Sequence, residues 1–175
     1  MAANWVNIPR WHGATERGRA MKEAREKTVE REVPEIRERY PHFLDIPTRW
    51  MDNDVYGHVN NVVYYAYFDT VVNEYLIRSG VLDIEKSSVI GLVVETQCRY
   101  FAPITFPDAV HAGLRVARLG RSSVRYEIGL FKNDDASASA QGHFVHVYVE
   151  RESHKATALP NEMRCALQRL LVEAG

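Results

Sequence analysis

The segment from Val62 to Ser79 limits what this chain can fold into more than any other stretch. Val63, Tyr67, Val71 and Tyr75 recur at every fourth position, with Tyr64, Phe68, Val72 and Leu76 beside them. That spacing is helical, and two adjoining rows give a helix with most of its girth apolar. Asp69, Asn73 and Arg78 hold the other side, and Gly80 supplies a stop. Such a helix cannot stand alone in water. The chain around it offers strands. Residues 89–100, 109–119, 123–131 and 139–150 alternate apolar with polar, and Pro103, Pro107, Gly120-Arg121 and Lys132 to Asp135 mark the turns between them. In the first of these, Leu92, Val94, Thr96, Cys98 and Tyr100 share one parity, while Glu95, Gln97 and Arg99 share the other. One wet face in the second half is expected. His42 to Met51 reads as a short strand that Pro47 pushes to an edge. Pro160 opens a short terminal helix carrying Met163, Leu167, Leu170 and Leu171. The expected class is α+β, an antiparallel sheet wrapped around a long central helix.

A chain of 175 residues fits one main domain, expected here over residues 41–175. Residues 1–40 read as a charged helical N-terminal extension. Its acids and bases are mixed, with Glu23 and Lys27 at i,i+4 spacing, and Pro34 and Pro41 close it. A net charge of −1 gives no field for nucleic acid. No run is long and apolar enough to span a membrane, and no signal-type stretch starts the chain, so a cytoplasmic protein is expected. Cys98 and Cys165 form no disulfide framework and have no metal-ligand spacing, so no metal is expected. No glycine-rich phosphate loop occurs, and no cofactor is expected.

Just before the helix runs Asp52-Asn53-Asp54-Val55-Tyr56-Gly57-His58-Val59-Asn60-Asn61. A cap needs one or two such polar residues. Here carboxylates, an imidazole and amides gather where backbone N–H groups lie open and the helix dipole favours negative charge. That is a place to do chemistry on a carbonyl.

Asp54-x-x-Gly57-His58-Val59-Asn60-Asn61-x-x-Tyr64-x-x-Tyr67-Phe68-Asp69 resembles the signature of the 4-hydroxybenzoyl-CoA thioesterase-like acyl-CoA thioesterases, which have the hotdog fold. Leu119 to Ser123 and Leu159-Pro160 are similar to that family too, so the likeness covers most of residues 43–164. It implies hydrolysis of an acyl- or aroyl-CoA thioester, with acyl carrier protein as the other possible carrier, in a homodimer or homotetramer. It also implies that Asp54 acts as nucleophile or general base, and that the Asn61 backbone N–H is the oxyanion donor.

Other residues carry two readings each. His58 either orients Asp54 or polarises the substrate carbonyl, or it shapes the loop. Asn60 is a substrate-side residue or the helix cap. Tyr64 and Tyr67 pack the core, with one of them free to line an acyl pocket. Asp69, two turns into the helix, reads as structural or as a support behind the loop residues. Two rivals stand beside the hydrolase: a non-catalytic acyl-CoA-binding domain, and a hydratase or dehydratase of the same fold. The loop lacks the proline and the Asp–His spacing of such hydratases.

Overall fold

The computed structural model describes residues 33–172. Of the helical extension expected over residues 1–40, residues 1–32 lie outside them, and residues 33–40 carry a 3-10 turn, Arg37–Arg39, but no α-helix. Strand β1 (His42–Pro47) leads through a short 3-10 turn, Trp50–Asp52, and the polar loop into helix α1 (Asn61–Arg78). Strands β2 (Val89–Tyr100), β3 (Ala109–Leu119), β4 (Ser123–Lys132) and β5 (Ala140–Glu150) follow, then helix α2 (Asn161–Gln168). The five strands form one antiparallel sheet in the order β1-β3-β4-β5-β2. This five-stranded sheet with two helices is consistent with an α+β hotdog arrangement.

Helix α1 buries Tyr64, Tyr67, Phe68, Val71, Val72 and Leu76. They join one apolar cluster with Leu114 and Val116 of β3, Ile128 and Leu130 of β4, and Phe144 of β5. Gly80, at φ 71°, ends the helical stretch in a conformation that side-chain-bearing residues avoid. Helix α2 adds Met163 and Leu167 to the same core, and the Tyr75 hydroxyl donates to the Ala166 carbonyl at 2.7 Å. Within the core the hydroxyls of Tyr126 and Tyr148 lie 2.6 Å apart, so each answers the other. Burial, together with this contact, raises the Tyr126 hydroxyl well above its ordinary range.

Strand β2 departs from the expected alternation. Val93 pairs with His146 and Glu95 with Val145, so Val94 is an extra, bulged residue. Residues directly opposite each other share a face. Val89, Gly91 and Val93 therefore share the core side with Tyr148 and His146, whereas beyond the bulge Thr96, Cys98 and Tyr100 take that side. Leu92 and Val94 do not continue the row that Thr96 begins; the bulge flips the parity between them. Strand β2 is also a sheet edge, with Leu92, Val93 and Val94 all exposed.

The sheet's other face carries polar pairs. Arg115 sits there between Glu35 and Glu127, donating from Nη2 to Glu35 at 2.7 Å and from Nε to Glu127 at 2.8 Å. Tyr40 is buried beside Phe43 and Phe131. Its ring lies over Gly113 and Gly129, where any Cβ would come within 2.9 Å. Residues 35–40 are thus packed onto the sheet, and the compact unit begins at Pro34.

Phe68 is fully buried, against Tyr65 and Phe144. Phe68→Ala should cost about 3–5 kcal/mol, the usual range for emptying a core aromatic site. A lowered urea midpoint with unchanged slope checks this.

Candidate active site

The polar loop is short and closed at its neck. The Asn60 N–H donates to the Asp52 carbonyl at 2.8 Å, and Asn53 and Val59 form an antiparallel bridge. Beyond the neck the Asp54 N–H reaches the His58 carbonyl at 2.8 Å, and the Gly57 N–H reaches the Asp54 carbonyl at 3.1 Å. Gly57, at φ 81°, makes that tight return possible. The loop leans on the stretch before β3. Val59 N–H donates to the Ile104 carbonyl at 2.8 Å, and the Thr105 hydroxyl to the Gly57 carbonyl at 2.9 Å.

Asp54 is half-buried. Its Oδ1 accepts from the Tyr56 N–H at 2.8 Å and stands 3.5 Å from the His58 N–H. No donor among the described residues is recorded at Oδ2. Its loop therefore orients the carboxylate through one oxygen and leaves the other open. His58 is half-buried, and its main chain helps to close the loop.

Asn60 is the N-cap of α1, its side-chain oxygen accepting from the Val62 N–H at 3.2 Å. The Val63 N–H turns back to the Asn60 carbonyl at 2.9 Å. The Asn61 N–H, at the helix start, has no acceptor among the described residues. It points along the positive end of the helix dipole and can meet an anion. Tyr64 is buried, with its ring 4.9 Å from that of Tyr100, and burial pushes its hydroxyl up to about 12. The Tyr100 hydroxyl lies 3.4 Å from the Asn61 carbonyl. Tyr67 is buried with its hydroxyl on Asp52 at 2.9 Å. Asp69 is accessible on α1, yet the protein packed around it raises its carboxyl.

A concavity of about 270 Å³ lies against Trp50, Asn53, Asp54, Val55 and Gly57. Trp50 and Val55 are strongly exposed there, 81% and 93%, and give it an apolar wall. Asn61 and Tyr64 do not line it. A single chain thus brings Asp54 and the start of α1 into one short loop without enclosing both in one cleft. A larger concavity, of about 400 Å³, lies at the opposite end of α1 beside Gly80 and Cys165. No cluster of His, Cys, Asp or Glu among the described residues is arranged to hold a metal.

Comparison with known proteins places the chain. A family model described as the thioesterase-like superfamily matches residues 48–167. The chain belongs to this superfamily. The PA5185 protein of Pseudomonas aeruginosa, known from its crystal structure, is 57% identical with a TM-score of 0.79, over 82% of this chain and 100% of its own. A Thermus thermophilus thioesterase, crystallised with coenzyme A and Zn, is 30% identical with a TM-score of 0.63, over 76% of this chain and 96% of its own. The YsmA protein of Bacillus subtilis is 25% identical over 123 residues, which is 70% of this chain and 82% of that one.

Sequence reasoning passed over Asp52. It is 1% exposed. Its Oδ2 accepts from the Arg49 N–H at 2.8 Å and from Tyr67, and its Oδ1 meets the Arg49 guanidinium at 2.8 Å. Burial raises this carboxyl, but the hydrogen bonds from Arg49 and Tyr67 outweigh that and hold it below the ordinary Asp range. A folded-state pKa below the unfolded value means that the carboxylate stabilises the fold above the unfolded pKa of 3.8, and that this is lost as pH falls through the depressed value. Asp52→Asn should therefore lose about 2–3 kcal/mol at neutral pH, the worth of hydrogen bonds to a buried charge. The difference from wild type should shrink below about pH 4. Urea unfolding at both pH values measures it.

Proposed function

We propose that this protein hydrolyses the thioester of an acyl- or aroyl-coenzyme A to the free acid and coenzyme A, in the cytoplasm. The observation that carries this reading is a half-buried carboxylate with one oxygen uncommitted among the described residues, seven residues before a helix-start N–H that has no acceptor among them. A thioester carbonyl held between them has an attacking oxygen, or a base for water, on one side. On the other it has a donor for the developing oxyanion. A thiolate leaves readily, so the site needs no strong acid. Membership of the thioesterase-like superfamily supports hydrolysis, and the coenzyme A bound to the Thermus relative supports the carrier. Asn60 serves as cap, keeping the first turn in place. Tyr64 braces the same turn from inside, and Trp50 and Val55 offer apolar contact to the acyl or aroyl group.

The active form in this reading is a homodimer. Tyr100, at the end of the open β2 edge, touches the first residue of α1. A second copy pairing with β2 would stand beside that helix start and give the shallow Asp54 concavity its missing wall. The exposed Leu92, Val93 and Val94 fit such a contact. Val94→Lys should then shift the protein towards monomer in light scattering and lower turnover with it.

Following free thiol from a graded panel of acyl- and aroyl-CoA thioesters tests the chemistry. Asp54→Asn keeps an oxygen for the Tyr56 N–H, so folding should be retained. Turnover should drop by about 100- to 10,000-fold, the range for a lost general base. Undiminished turnover in that variant removes Asp54 from its role. Tight binding without thiol release selects a non-catalytic acyl-CoA binder, and loss of enoyl absorbance without thiol release selects a hydratase.

A further inference from the structure

We propose that Asp52 is a positioning residue. Together with Tyr67 and Arg49 it clamps the neck of the Asp54 loop to the body of α1, and so sets how far the Asp54 carboxylate stands from the Asn61 N–H. The inference rests on the hydrolytic reading of Asp54.

Three attachments converge on this residue. Its main-chain carbonyl takes the Asn60 N–H, which ties the two ends of the loop together. Its carboxylate takes the main chain and the guanidinium of Arg49, which fixes the turn that enters the loop. The same carboxylate takes the hydroxyl of Tyr67, about two turns into α1. Helical side chains lean towards the N-terminus, so Tyr67 reaches back beneath the loop rather than away from it. Burial raises the Tyr67 hydroxyl, and its hydrogen bond to Asp52 raises it further, so it stays a donor.

Filling space at this position needs no charge, and a buried carboxylate is costly unless it is paired. The charge here is spent on joining two elements. Asp54 lies two residues after the clamp, and Asn61 one residue after Asn60, the other end of the neck. The two groups that must face a substrate carbonyl therefore hang from one fixed point. Asp52 itself has both oxygens occupied and touches no substrate space, so it acts through the loop.

Tyr67→Phe removes the donor and keeps the ring in the core. kcat for thioester hydrolysis should fall roughly 10- to 100-fold, the scale of a misplacement near 1 Å. KM should stay within about twofold, since substrate contacts remain. Amide exchange should quicken over residues 53–61 and stay slow in β3, β4 and β5. Adding Asp52→Asn to Tyr67→Phe should lower kcat by less than the two single losses multiplied, because both remove one clamp. Unchanged kcat in Tyr67→Phe, or exchange that quickens across the whole sheet, overturns the proposal. Should Tyr67→Phe fail to fold, Arg49→Ala at a 63% exposed side chain loosens the same carboxylate and is judged by the same readouts. If the wild-type protein frees no thiol from any thioester, the hydrolytic reading fails by itself. The clamp is then judged by exchange in Tyr67→Phe alone: quickening confined to residues 53–61 sustains it, and no change there overturns it.

Discussion

The site is measured from the first turn of α1. A helix start cannot satisfy its own N–H groups, so something outside the helix must take them. Here the cap residue takes two, through its side chain to Val62 and its carbonyl to Val63, and the Asn61 N–H has no acceptor among the described residues. That group is also held in place. Phe68, Val71 and Val72 sit fully buried against the sheet further along the same helix. A rod seated over that length holds its end still, and an open amide on a still end is preorganised for an anion.

Two carboxylates, two residues apart, live in opposite surroundings. Asp52 is sealed from water with both oxygens engaged by Arg49 and Tyr67. Asp54 is half-buried, is oriented by its own loop through one oxygen, and has no basic side chain paired with it among the described residues. The first is tied down on both oxygens; the second is held through one, as the proposed hydrolytic role of Asp54 requires. Contrasting environments of this kind are how one short stretch of acids divides its work.

The helix, every strand and the terminal helix were legible in the sequence because burial imposes a period, and period is a local property. The limits of that reading are equally physical. The bulge at Val94 inverts the face of half a strand, yet no residue there is a glycine or proline that would announce it. The packing of Glu35 on Arg115 joins positions 80 apart, so the segment before β1 read as part of a charged helical extension rather than of the sheet's surface. In the loop, polar density and the helix that follows marked out the candidate site. Asp52 escaped notice because its meaning lies in Tyr67, fifteen residues on and across the loop. Tyr67 in turn read as core or pocket wall because an apolar row says nothing of where a hydroxyl ends.

The paired hydroxyls of Tyr126 and Tyr148 bind the histories of two strands together. Both are buried and each is the other's partner, so turning one to phenylalanine strands an oxygen, whereas turning both leaves nothing to satisfy. Drift at either position is therefore a crossing with a costly midpoint. Among descendants of this sequence the two should be kept or given up as a couple.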